Sequence, residues 1–204
     1  MSGQYRLALK FLALAARYAD QLGFDELFGP LLRDGAEKCG ELVQLALIEG
    51  DEMRYVARAD TNNRIRVVSL LGQRVAPHAF AAGKIWLADM PVERALKIVL
   101  ESGLTPLTPK TITDISGLQR EIETVRAQGF ATNLEEVDPG LIAISVPVRT
   151  PKNSTLVGAL TMSVPMFRVS PDRLQDHLPM LRDVANQIGE CLSMSAVIEL
   201  LRTR

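Results

Sequence analysis

Hydroxyls, backbone amides and small side chains are the groups in this chain best placed for chemistry, and they suit anion binding rather than turnover. The segment Ala76-Pro77-His78-Ala79-Phe80-Ala81-Ala82-Gly83-Lys84-Ile85-Trp86-Leu87-Ala88 sets Ala79, Ala81, Ala82 and Gly83 close together ahead of an apolar helical face. Small side chains bring little packing energy, so their concentration implies that something comes close to the backbone there. The unsatisfied amides of a helix start form a ready anion site. A second group lies in Ala159-Leu160-Thr161-Met162-Ser163-Val164, where strand alternation puts Thr161 and Ser163 on one face and Leu160, Met162 and Val164 on the other. Thr161 and Ser163 then face either water on a half-buried sheet or a cavity. Ala143 and Ser145 repeat the small-residue choice on the strand expected over 141–149, which favours a cavity. Hydroxyls and free amides are suitable donors for a small carboxylate.

Catalytic arrangements are poorly represented. The chain has two histidines, His78 and His177, with no H-E-x-x-H pair and no Cys/His cluster at metal-ligand spacing. There is no G-x-S-x-G elbow, Walker loop or dinucleotide fingerprint. His177 precedes the apolar face of the last helix and reads as a surface or capping residue. His78 reads as a structural hydrogen-bonding residue, with general-base work as its rival. The expectation is a protein without catalysis, metal or cofactor. The alternative is an enzyme acting on a small organic acid with His78 beside the pocket.

Composition narrows the class further. The 204 residues are 47% hydrophobic and 23% charged, enough for a full core without disulfides. Lys plus Arg number 23 against 24 Asp plus Glu, and pairs such as Glu93-Arg94, Asp172-Arg173 and Arg182-Asp183 leave no basic stripe for phosphate. Cys39 and Cys191 lie outside any C-x-x-C pattern, so buried thiols and a cytoplasmic location are expected. No apolar run approaches the roughly 20 residues of a membrane span.

The elements that must position these groups follow from periodicity and punctuation. Leu7, Phe11, Leu14 and Tyr18 predict an amphipathic helix over 5–19, and Asp25 a cap for a second helix in which Pro30 causes a kink or marks the start. Residues 42–48 and 53–58 predict a hairpin, and 65–71 a third strand ended by Gly72. Helices are expected from Pro77, over 91–102, and from Asp114 or Ser116 to Gly129. Strands follow at 130–134, 141–149 and 156–165. Ser170-Pro171-Asp172 opens a last helical region, which Pro179 divides into a short and a long helix. Strands toward both ends with helices between them predict an α+β fold.

Five short motifs, in this order, resemble the C-terminal, effector-sensing half of IclR-type transcriptional regulators. They are Gly40-Glu41-Leu42, Gly72-Gln73-Arg74, Leu107-Thr108-Pro109-Lys110-Thr111-Ile112-Thr113, Gly129-Phe130-Ala131 and Pro139-Gly140-Leu141. The resemblance runs from about Tyr5 to about Leu192. It implies a GAF-like antiparallel sheet with helices packed on it, an N-terminal linker helix in residues 1–20, and a sensing domain over 21–204 with a long C-terminal helix. It also implies a pocket for a small organic or aromatic acid. By position, the ligand-binding amides fall on Ala81 and Ala82, and the hydroxyl pair on Thr161 and Ser163. An acidic pocket residue is replaced by Asn133 and a small polar one by Ala143. The apolar wall falls on Val67, Val75 and Leu141, with Arg64 at a wall position that is commonly apolar. The resemblance further implies a homodimer or homotetramer without membrane contact. DNA would be reached only through a winged helix-turn-helix domain that these 204 residues lack.

Overall fold

The computed structural model describes residues 24–194 except 62, 64–66 and 68–70. Its elements are α1 (Phe24–Cys39), β1 (Leu42–Glu49), β2 (Glu52–Ala59), α2 (Ala81–Ala88), α3 (Val92–Ser102), α4 (Ile115–Gln128), β3 (Ala131–Leu134), β4 (Leu141–Arg149), β5 (Leu156–Pro165), a 3-10 turn (Pro171–His177) and α5 (Leu178–Met194). The strands form one antiparallel sheet in the order β2-β1-β5-β4-β3. The fold is α+β.

Local chemistry explains most boundaries. Gly50 at φ +60° turns the β1–β2 hairpin. The Asp114 carboxylate accepts from the Gly117 amide at 2.7 Å and starts α4. Gly129 ends it in the left-handed conformation, its amide bonded to the Val125 carbonyl. Alternation then sorts the sheet into two faces. Ile142, Ile144, Leu160, Met162 and Val164 join Val43 and Leu45 under α1 and α5, all fully buried. Each such side chain contributes roughly 1.5–3 kcal/mol by leaving water. The opposite face meets α2, whose Ala81, Ala82, Ile85 and Trp86 join Ala46, Met53, Tyr55 and residues of α3 and α4 in a second apolar cluster.

Several sequence expectations need correction. Helix α2 begins at Ala81, not Pro77, because residues 77–79 form a turn closed by the bond from the Phe80 amide to the Ala76 carbonyl. Asp25 lies inside α1 rather than capping it, and the helix continues through Pro30. In the segment expected as a third strand, Val67 and Leu71 are in no strand, and the intervening residues lie outside the described ones. The chain that pairs with the free edge of β2 is instead 72–75, with the Gly72 amide on the Tyr55 carbonyl and the Val75 amide on that of Met53, both at 2.8 Å. The helix expected over 5–19, and with it the 1–20 linker, falls outside the described residues. Among those described, no helix is long and apolar enough to cross a membrane.

Gly83, one of the small residues at the start of α2, has an internal cause. A Cβ on Gly83 would lie 2.5 Å from the Pro77 Cα and 2.6 Å from its carbonyl oxygen, so the chain's own turn is what approaches the helix backbone. Gly83→Ala should therefore destabilise the fold by about 1–3 kcal/mol through overpacking. Urea unfolding monitored by Trp86 fluorescence measures this, and an unchanged midpoint would contradict the close approach.

Candidate functional site

Sheet register brings the polar face together from four strands. Asn133, Ala143 and Ser163 lie side by side across β3, β4 and β5. The next row holds Ser145, Thr161 and Gln44 across β4, β5 and β1. Between this face and the first residues of α2 is a cavity of about 650 Å³. Its lining includes Gln44, Tyr55, Val67, Phe80, Ala81, Asn133, Leu141, Ala143, Thr161 and Ser163, with Val137 to Gly140, Pro165 and Phe167 at its wall.

Seven of the ten expected site residues are thus gathered: Val67, Ala81, Asn133, Leu141, Ala143, Thr161 and Ser163. Two are not. Val75 is hydrogen-bonded along the β2 edge and packs into the apolar cluster with Met53. Ala82 faces that same cluster, one helical step from Ala81, and does not border the cavity. Arg64 lies outside the described residues. Thr161 and Ser163 face this cavity rather than bulk water and are 1% and 6% exposed. His78 borders a different, smaller cleft with Arg74 and Ser102. Its Nε2 is 3.0 Å from the Thr105 carbonyl, its Nδ1 is buried without a partner, and burial lowers its pKa. That placement does not support the alternative of a His78 base beside the acid pocket. Among the described residues, no group of three His, Cys, Asp or Glu is arranged to hold a metal.

The hydroxyls of the polar face differ in availability. Ser145 donates to the Leu160 carbonyl at 3.1 Å, so its 2.9 Å contact with Thr161 takes the Thr161 proton. The Thr161 proton is therefore already committed within the protein. Tyr55, whose pKa is pushed up by burial, lines the same cavity. The Ser163 hydroxyl makes no hydrogen bond among the described residues, and Ser163 borders the cavity. Asn133, which borders the cavity, uses Oδ1 to accept from the Glu136 amide at 2.7 Å, which leaves Nδ2 as a donor without a partner among the described residues. The start of α2 is also open: Phe80 provides no side-chain cap and the first turn carries no acid. Of the described lining side chains, Asp138 alone is formally charged.

A buried cation, which sequence reasoning missed, holds the wall of this cavity. Lys84 on α2 is 1% exposed, and its Nζ donates to Glu136 Oε1 at 2.6 Å, Glu121 Oε1 at 2.9 Å and the Thr132 carbonyl at 3.0 Å. Burial pushes the Glu136 carboxyl up against the pull of Lys84, and Glu136 Oε2 has no partner. The Thr-rich loop grips the same turn. Thr108 and Thr111 donate to the carbonyls of Glu135 and Glu136 at 2.7 and 2.6 Å, and Lys110 pairs with the Glu135 carboxylate. These bonds hold Glu135 at φ +63°, a costly backbone state for a residue with a side chain. Nothing in the local sequence distinguishes Lys84 from a surface lysine, because its acceptors lie 37 to 52 residues away. Tyr55, Gln44, Phe80 and Phe167 were missed for the same reason: only the fold brings them to the cavity.

An uncharged polar floor beside an uncapped helix start, enclosed on an antiparallel sheet, defines a small-molecule-binding domain. Residues 16–190 match the family described as bacterial transcriptional regulator IclR C-terminal, and the chain belongs to the IclR family of transcriptional regulators. It is 29% identical over 192 residues to the HTH-type transcriptional repressor AllR of Klebsiella pneumoniae, covering 94% of this chain and 70% of that one. A transcriptional regulator from Rhodococcus sp. RHA1 superposes with a TM-score of 0.81 at 28% identity, covering 92% of this chain and 77% of that one. The inducer-binding domain of the PobR transcription factor from Acinetobacter, a double mutant bound to 3-hydroxybenzoic acid, superposes with a TM-score of 0.72 at 30% identity, covering 79% of this chain and 94% of that one.

Removing one partner of a buried ion pair leaves an uncompensated charge. Lys84→Met should cost about 3–5 kcal/mol of stability. Lys84→Met combined with Glu136→Leu should recover part of that loss. A double-mutant cycle in urea checks this, and simple additivity would show that the two charges do not depend on each other.

Proposed function

We propose that this chain is the effector-sensing and oligomerisation part of a cytoplasmic transcription regulator, and that its effector is a small carboxylate held on the polar floor of the 650 Å³ cavity. The observation that carries the reading is a pair of donors with open hydrogen-bonding capacity, the Ser163 hydroxyl and the Asn133 amide, brought side by side across Ala143 and facing the cavity. The open start of α2 at Ala81 adds amides and a positive helix end. Neutral donors suit an anion here because the floor residues Asn133, Thr161 and Ser163 are nearly fully buried. The volume falls in the range of small-molecule pockets generally and exceeds what a two-carbon acid would fill. The hydroxybenzoic acid bound by the PobR domain supports a ring-bearing acid as the class.

The regulatory role is indirect. Ligand binding in residues 21–204 would reposition the 1–20 linker and hence a winged helix-turn-helix domain in a longer protein, while DNA is read by that domain alone. Assembly as a dimer or tetramer is the reading that the family resemblance and the spacing of Leu7, Phe11, Leu14 and Tyr18 in the sequence support. Sedimentation at micromolar concentration should show a species larger than the 22.4 kDa chain, and a pure monomer would contradict that assembly.

Calorimetry with 3-hydroxybenzoate tests the site itself. Ser163→Val should lose a hydrogen bond to a charged group, about 1.5–3 kcal/mol of binding free energy. Unchanged affinity in Ser163→Val would place the carboxylate elsewhere.

A further inference from the structure

The polar floor accounts for one end of the cavity and leaves its mouth unexplained. Its exposed lining residues are Asp138, Pro139, Gly140 and Phe167, with the half-buried Val67 and Leu141 beside them. Phe167 is the anomaly among these. It is 71% exposed, the most exposed large hydrophobic residue recorded in the described chain, yet it borders the cavity. A Phe left in water forgoes most of the stabilisation that burial brings.

Its turn is nevertheless firmly held. The Met166 amide donates to the Gly140 carbonyl at 2.8 Å, which fixes the turn to the cavity wall, and the Arg168 amide donates to the Pro165 carbonyl at 2.9 Å. The Arg168 side chain forks onto Glu41, with Nε and a terminal nitrogen 2.5 and 2.6 Å from the two carboxylate oxygens. That bond raises the Arg168 pKa, and the Glu41 side chain is 6% exposed. The guanidinium carbon lies 5.4 Å from the centre of the Phe167 ring, a cation–π contact. A bidentate Arg–carboxylate pair is among the most directional polar contacts a protein makes. It therefore positions the exposed ring as well as the turn.

We infer that Phe167 is a specificity-determining residue of the effector site, an aromatic platform on which the flat ring of an aromatic carboxylate stacks while its carboxylate reaches Ser163 and Asn133. This rests on the proposed reading of the cavity as a carboxylate site and adds what selects the rest of the ligand. Arg168 and Glu41 are positioning residues: they hold the platform and do not touch the ligand. The cavity thereby discriminates by shape and electronic character, with hydrogen bonding at the floor and an aromatic face at the mouth.

Benzoate and cyclohexanecarboxylate share the carboxylate and nearly the same bulk, and differ in whether the ring is flat and aromatic. Titration calorimetry of the whole chain with each should show benzoate preferred. Phe167→Leu, which keeps apolar bulk, should reduce that preference by roughly three- to tenfold, the worth of one offset-stacked aromatic pair. Phe167→Tyr, which keeps the ring, should retain it. At so exposed a position Tm should stay unchanged in both variants. An unchanged preference in Phe167→Leu would overturn the platform while leaving the carboxylate floor intact. Binding of propionate but of neither cyclic acid would also overturn it. Failure of the native chain to bind any carboxylate at millimolar concentration would overturn both the platform and the site beneath it.

Discussion

The buried ammonium of Lys84 is the constraint on which the cavity depends. An ammonium removed from water is tolerable only if each of its donors is met. Here three acceptors meet it: a carboxylate on α4, a carboxylate on the β3–β4 turn and a carbonyl of β3. Because the cation sits one helical turn from Ala81, satisfying it fixes the start of α2 relative to β3 and the turn that follows. The space left between these elements and the sheet is the cavity. The geometry of the site is therefore set by a charge that does not touch it.

The turn at Glu135 and Glu136 shows how such a constraint is shared. Asn133, two Thr hydroxyls of the 105–113 loop and Lys84 all converge on it. The Thr-Pro-Lys-Thr series reads as a family motif in sequence, and in the fold it acts as a clamp on the cavity wall. Asn133 serves both purposes at once. Its oxygen holds the wall and its nitrogen remains a free donor, a division that an ionised carboxylate with acceptors alone could not make. A change at this position alters wall and ligand chemistry together.

The polar floor also separates groups that resemble each other in sequence. Thr161 and Ser163 alternate in register and look equivalent, yet the Thr161 proton is held by Ser145 while the Ser163 hydroxyl is open. A side chain's type states what it can donate. Its neighbours decide whether the donor remains available. The same distinction applies to the small residues of α2, where Ala81 borders the cavity but Gly83 accommodates the backbone of Pro77.

Much of the architecture was legible along the chain, because strand alternation, glycine stops and the Asp114 cap are local effects of backbone geometry and neighbouring side chains. Strands β4 and β5 and helices α3 and α4 fall where periodicity places them, and the alternation of β5 already separates Thr161 and Ser163 from the core residues between them. Sequence resemblance carried seven of the expected lining residues to the cavity. The start of α2, the segment paired with the β2 edge, the inward positions of Tyr55 and Lys84, and the place of the exposed Phe167 at the cavity were not legible. Each depends on partners far away in sequence, such as Glu136 for Lys84 and Glu41 for the turn that carries Phe167. Local pattern decides which face a side chain takes, whereas register and packing decide what that face meets. Only the tertiary structure could determine the second, because a hydrogen bond or an ion pair forms between positions in space, whatever their separation along the chain.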